Sequence, residues 1–192
     1  MPRAGLTRQR VIDEAQQLSD EAGPDGLTLA ALADRLGVRQ PSLYKHIGGS
    51  ADLDRELALR AKRELADVLA RASVGRSGAA GLRSLSGACR RWALAHPGRY
   101  AATVRPLPED PEDAAASASV VSIVVDVLAA WGLDGEEAVH ATRAVRAALH
   151  GFISLEVSGG FALPLGVQQS FDRLVDVLIE GLGPGRATAT DG

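Results

Sequence analysis

Between Arg35 and Ala51 the chain carries Arg39, Gln40, Ser42, Tyr44, Lys45 and His46, and no Asp or Glu. Cations and short hydrogen-bonding groups gathered in this way suit a polyanion. Gln40 can bond adenine through both ends of its amide and Ser42 offers an adaptable hydroxyl, so these two are expected at base edges. Pro41 is placed to touch a thymine methyl. Tyr44, Lys45 and His46 are expected on phosphates, which fixes register without reading sequence, and Arg39 suits either role. For Tyr44 and His46 the competing reading is packing against the first helix.

These side chains need a frame that presents them together. Leu29, Leu32, Ala33 and Leu36 recur at i, i+3, i+4 and i+7, so a helix after Thr28 buries one face. Thr28 supplies its N-cap, and Gly37 stands where a left-handed backbone must end it. Val38 plugs the corner. Pro41 falls in the first turn of a third helix, Gln40 to Ile47, where a missing N–H does no harm, and Leu43 and Ile47 face inward. The backbone N–H groups of Thr28 and Leu29 form a further phosphate site at a helix N-terminus. Two short helices around a tight turn make a helix-turn-helix, the geometry of a major-groove reader.

The run LTLAALADRLGV and the ending LYKHI followed by Gly48 resemble the tetracycline-repressor (TetR) family of bacterial transcription regulators. Leu43, Tyr44 and His46 agree with the family pattern. Ile47 replaces an aromatic residue, and Ser50 stands where a phosphate-binding lysine is usual. The resemblance therefore implies weaker, less salt-sensitive DNA binding, with Ser50 capping the fourth helix and offering a hydroxyl. Further along, LHGFISLEVSGGFALP (149–164) resembles a C-terminal domain type with a tryptophan-histidine-glycine signature; Leu149 replaces the tryptophan, and His150 and Gly151 agree.

Composition is consistent with such a protein. The chain has 192 residues, 46% of them hydrophobic and only 4% aromatic, which allows one or two domains and favours an all-α fold of close-packed helices. Residues 1 to 60 hold eight Lys or Arg and nine Asp or Glu, net −1, which counts mildly against a DNA-binding domain. Distribution matters more: Arg3, Arg8 and Arg10 cluster at the N-terminus and Arg39 with Lys45 in the acid-free window, while Asp13, Glu14, Asp20, Glu21 and Asp25 collect along and after the first helix. A single Cys89 excludes an intramolecular disulfide, and MPRAGLTRQR has no apolar core of a secretory signal, so a cytoplasmic location is expected. Ala114 to Trp131 is the most membrane-like stretch; with Ala, Ser and an interior Asp126 it reads as a buried protein helix, and no membrane partner is expected.

Nine helices are expected. The first runs from Thr7 to Glu21 with Val11, Ala15, Leu18 and Ala22 inward, ended by Gly23-Pro24. A linking fourth helix covers 50–72, and SVGRSGAAG (73–81) reads as a loop. The fifth buries Leu82, Leu85, Cys89, Trp92 and His96; a short sixth spans Arg99 to Val104; PLPEDPEDA from Pro106 reads as an acidic surface loop. The seventh covers Ala114 to Trp131, the eighth Gly135 to Val157, and the ninth carries Phe171, Leu174, Val175, Leu178, Ile179 and Leu182. The implied domains are 1–49 for DNA, 50–72 as link, 78–182 for regulation and dimerisation, and 183–192 as a flexible tail.

By resemblance, the last two helices pair with their copies in a second subunit, placing Leu149, Phe152, Phe171, Leu174, Val175 and Leu178 in a homodimer contact; the alternative is packing on the seventh helix. A small-molecule effector would be lined by Trp92, His96, Tyr100, Val121, Val124, Leu128, Trp131, Arg143, Arg146 and His150, a set that otherwise forms a plain core. Asp126 needs either solvent or Arg143 or Arg146. The four histidines, His46, His96, His140 and His150, lack ligands at metal spacing, and no phosphate-binding glycine motif or nucleophile elbow is present, so no cofactor, metal or catalysis is expected. The sequence thus points to a homodimeric, effector-responsive regulator, most simply a repressor, on a palindromic double-stranded DNA operator. The alternative is a helical module that binds another protein.

Overall fold

The computed structural model describes residues 5–23, 26–105, 107 and 109–183. Arg3, Pro24, Asp25, Pro106 and the tail from 184 lie outside the described residues. Among the described residues the fold is all-α: α1 (Arg8–Ala22), α2 (Leu29–Leu36), a 3-10 helix (Gln40–Lys45), α3 (Ser50–Ser73), α4 (Gly78–Ala95), α5 (Pro97–Thr103), α6 (Pro111–Leu128), a 3-10 turn (Ala129–Trp131), α7 (Gly135–Val157) and α8 (Val167–Leu182). These divide into two compact units, Met1–Asp67 with Arg91–Val120 and Val68–Arg90 with Val121–Gly192.

In the first unit the ends of the helices follow the residue chemistry closely. Thr7 caps α1 by accepting the Arg10 N–H at 3.2 Å, and Thr28 caps α2 through the Ala31 N–H at 3.1 Å. Gly37 turns left-handed at φ 65°, and its N–H and that of Val38 close back on the Asp34 and Ala33 carbonyls. Behind these ends lies one apolar cluster of Val11, Ile12, Ala15, Leu32, Ala33, Leu43, Ile47, Leu53 and Leu57. Ile12 belongs to it, whereas Ala22 is exposed at the last turn of α1.

Ion pairs fasten the outside of that cluster. Arg35 of α2 reaches Glu14 at 2.9 Å and Glu21 at 2.5 Å on α1, and Arg60 of α3 reaches Asp13 at 2.8 Å. The acids of α1 therefore hold neighbouring helices rather than simply facing water. α5 crosses α1 so closely that a Cβ on Gly98 would lie 2.2 Å from the Ser19 carbonyl carbon. Asp20 of α1 then accepts the Arg99 N–H at 2.9 Å and meets His96 Nδ1 at 3.2 Å, capping α5 from outside.

The segment expected as an acidic loop from Pro106 to Ala114 is corrected in its second half. Pro111 opens α6, Asp110 accepts the Glu112 and Asp113 N–H groups, and Asp113 is buried against Lys62. Acids at that point cap a helix, where carboxylates are favoured. Asp110 also holds Arg55 at 2.5 Å.

The second unit is built on Leu69, Leu82, Leu85, Cys89, Val124, Val127, Leu128, Val145, Leu149, Ile153, Phe171 and Val175. The expected loop from 73 to 81 is shorter: α4 starts at Gly78, and Gly81 lies inside the helix, where a Cβ would approach Val127 Cγ1 to 3.1 Å. That glycine serves a close packing contact, not a turn. Arg90 makes two 2.6 Å bonds to Glu156 and lies 4.9 Å over the Phe171 ring, joining α4 to α7 and α8. By length and composition Pro111–Trp131 is apolar enough to cross a membrane, but only Asp113 and a stripe through Ala116, Val124, Val127 and Leu128 are buried, and Asp126 is not among the buried residues. It is thus less buried than its composition suggests, because much of its outer face is built from Ala and Ser.

Gly98→Ala is expected to destabilise the protein by about 1–3 kcal/mol, the usual cost of overpacking, read as a lower thermal midpoint; an unchanged midpoint would contradict the α1–α5 crossing. A second expectation concerns acid. The Arg8 guanidinium, with help from the Gly48 N–H, holds the Asp52 carboxyl down from its usual 3.8 to about 2. A depressed carboxylate pKa contributes stability that is complete above about pH 4 and lost as pH falls towards 2. Chemical denaturation across that window should show a steeper loss for the wild type than for Asp52→Asn, and equal slopes would refute the contribution.

Candidate nucleic-acid interface

The recognition segment is short, so most of its position comes from what it buries. Leu43 is fully buried and Ile47 nearly so, both in the cluster of α1, α2 and α3. Backbone bonds at its two ends tie it to the flanking residues: the Ser42 N–H donates to the Arg39 carbonyl at 2.8 Å, and the His46 and Ile47 N–H groups donate to the Leu43 carbonyl at 2.8 and 3.0 Å. Where periodicity suggested an α-helix from Gln40 to Ile47, the backbone is a 3-10 helix over Gln40–Lys45 with Pro41 in its first turn. Six residues is long for a 3-10 run.

With that side inward, Arg39, Gln40, Pro41, Tyr44 and Lys45 are exposed, and Ser42 and His46 are half-buried. Tyr44 is 54% exposed, so its ring stands out of the protein rather than packing on α1. The residues from Arg39 to Lys45 contain no carboxylate, and this unit leaves that side open. Ser50 and Thr28 are also exposed, each at the start of a helix.

Electrostatics at the edge of this surface differs from the sequence expectation in one respect. Arg8, grouped by sequence with the N-terminal cations, is committed within the protein. Its Nη1 donates to the His46 carbonyl at 3.0 Å and to Asp52 Oδ2 at 2.8 Å, while Nη2 donates to Asp52 Oδ1 at 3.1 Å and Glu56 at 3.4 Å. Asp52 Oδ2 also accepts the Gly48 N–H at 2.8 Å. The sequence separation of 44 between Arg8 and Asp52 hides the pairing from any local pattern.

The residues expected around an effector fall in both units. In the first, Trp92, His96 and Tyr100 form a ring cluster, with Trp92 centroids 5.8 Å from His96 and 6.5 Å from Tyr100. In the second, Val124 and Leu128 are buried, Trp131 and His150 half-buried, and Val121, Arg143 and Arg146 exposed. Arg143 and Arg146 thus stand on a solvated face. Sequence reasoning passed over Ser86 and Thr142, second-unit side chains whose buried hydroxyl oxygens have no hydrogen-bond partner among the described residues. A buried hydroxyl left in that state costs about 1–3 kcal/mol. No group of three or more His, Cys, Asp or Glu suited to a metal occurs among the described residues. Burial pushes the Cys89 thiol up to about 12, which keeps it protonated and inert.

Of the residues expected between subunits, Leu149, Phe171 and Val175 are buried within their own unit, and Phe152, Leu174 and Leu178 are half-buried. Phe152 packs 5.3 Å from Phe171 and 4.7 Å from Phe161, centroid to centroid. What these helices leave exposed is a neighbouring set that includes Leu155 and Val177. Gly151 and Gly181 add open space: nothing lies within 4 Å of a Cβ at either.

Comparison with known proteins agrees with this geometry. Residues 82–178 match the tetracyclin repressor-like C-terminal domain. The uncharacterized HTH-type transcriptional regulator Rv0681 of Mycobacterium tuberculosis is 40% identical over 81% of this chain and 72% of its own length. The uncharacterized HTH-type transcriptional regulator YobS of Bacillus subtilis is 34% identical over 94% of this chain and 95% of its own. Among solved structures, a TetR variant from Acinetobacter baumannii AYE in complex with minocycline superposes with a TM-score of 0.69 at 27% identity, over 92% of this chain and 96% of that one. The chain belongs to the tetracycline-repressor family and is a DNA-binding, helix-turn-helix transcription regulator, not an enzyme.

Proposed function

We propose that the chain is a cytoplasmic, homodimeric, effector-responsive repressor that reads a near-palindromic operator with two copies of the Gln40–Lys45 segment. The observation that carries this reading is the segment itself: apolar residues inward, and a carboxylate-free row of hydrogen-bonding and cationic groups facing outward. Gln40 and Ser42 read base edges with Pro41 beside a thymine methyl. Tyr44, Lys45, His46 and Ser50, with the N-terminus of α2 at Thr28, hold phosphates, and Arg39 serves either purpose.

Dimerisation is supported by what α7 and α8 leave uncovered. Leu155 and Val177 are exposed, and the helix-interior Gly151 costs about 1 kcal/mol relative to alanine, while nothing among the described residues lies within 4 Å of a Cβ there or at Gly181 in the last turn of α8. A second copy packed closely on this face would account for both. Dimer symmetry then requires a two-fold operator. Effector binding is supported by the minocycline complex of the Acinetobacter baumannii relative and by the orphaned hydroxyls of Ser86 and Thr142. An effector accepted beside Val124, Leu128 and Trp131 would need only about 1–3 kcal/mol of coupling to change operator affinity about 5- to 150-fold.

Lys45→Ala should weaken binding to every duplex alike and lower the slope of log affinity against log salt by about 1 per subunit. Gln40→Ala should instead relax preference at one base position. A sequence-selective loss from Lys45→Ala would overturn its assignment. Gly151→Arg should convert the dimer to monomer in sedimentation without changing helical content; a retained dimer would place the subunit contact elsewhere.

A further inference from the structure

We infer that Arg8 is a positioning residue for DNA reading, holding the recognition segment at its operator-binding angle through Asp52 and the His46 backbone, and that it does not itself bind phosphate. The inference rests on the DNA-reading role proposed above. A 3-10 segment of six residues has little stiffness of its own, and its inner contacts, Leu43 and Ile47, fix its depth more than its tilt. Tilt depends on the exit from the segment. There one guanidinium grips both sides: Nη1 bonds the carbonyl of His46, the residue that ends the segment, and the same group takes Asp52 bidentately at 2.8 and 3.1 Å. Asp52 in turn holds the Gly48 N–H at 2.8 Å. The three residues His46, Ile47 and Gly48 are therefore clamped between the first residue of α1 and the first turn of α3.

The distribution of charge points the same way. Arg8 faces two carboxylates, Asp52 and Glu56, and its fork is occupied by their oxygens and the His46 carbonyl. Turning to a phosphate would break bidentate, charge-assisted bonds and leave Asp52 unpaired beside Ser50, at the edge where DNA phosphates are expected. Held where it is, Arg8 removes a repulsive charge from that edge and sets the geometry at once.

The test uses a duplex selected by the full-length wild-type protein from a random pool, with a scrambled duplex as control. Arg8→Ala and Asp52→Asn should each weaken binding to the selected duplex roughly tenfold, within the coupling range for such pairs, and leave the scrambled duplex and the salt slope unchanged. The double variant should bind no more weakly than Arg8→Ala, since both changes release one clamp. Asp52→Asn is the sharper arm, because removing a negative charge near DNA would by electrostatics alone strengthen binding. It also carries the test by itself if Arg8→Ala fails to fold, since the substitution leaves α1 untouched and the new amide still offers an oxygen to Gly48. Three results would overturn the inference: a salt slope lowered by about 1 per subunit in Arg8→Ala, which marks a phosphate contact; stronger binding by Asp52→Asn; or selected-duplex affinity unchanged in both. Wild-type protein that selects no duplex would instead sink the DNA-reading assignment itself.

Discussion

A recognition element only six residues long cannot hold itself in place, and everything functional in this protein depends on the burial of Leu43 and Ile47. Their side chains enter the cluster formed by Val11, Ile12 and Ala15 of α1, Leu32 and Ala33 of α2, and Leu53 and Leu57 of α3. Burying two such branched side chains yields about 3–6 kcal/mol. Because these side chains occupy one side of the turn, the other side is left to Gln40, Pro41, Tyr44 and Lys45. The outward chemistry is a consequence of the inward packing.

Pairing explains the polar exterior of the reading unit. An acidic α1 looks ill suited to a protein that approaches DNA, yet Asp13, Glu14 and Glu21 are engaged by Arg60 and Arg35. Asp52 is engaged by Arg8. These ion pairs keep the carboxylates from acting as free charges and brace α1 against α2 and α3, so the net charge of the chain says little about the field at the recognition surface. The surface that remains is a small, acid-free patch on an acidic body.

Local signals in the sequence were sufficient for much of this. Thr7, Thr28 and Gly37 cap helices through contacts within four residues, and the spacing of Leu29, Leu32, Ala33 and Leu36 specifies the face of α2. The family pattern around Leu43 to His46 specified the reading element. Other features are not local. The segment is a 3-10 helix, which period counting over eight residues cannot separate from an α-helix. Arg8 looks like one more N-terminal cation until Asp52 is brought beside it. Asp113 looks like surface acid until Lys62 is found buried against it. Gly81 reads as loop because only the fold brings Val127 near. Leu149, Phe171 and Val175 stand on strong apolar stripes, but a stripe does not reveal whether its own chain or a second copy covers it.

The most direct measurement is amide hydrogen exchange on the full chain, alone and bound to its selected duplex. Rapid exchange in the free protein across Arg39 to Ser50 and at the first turn of α2, slowed markedly by the duplex, is the predicted pattern. Protection that appears elsewhere while these amides exchange as before would show that DNA is held by a different surface.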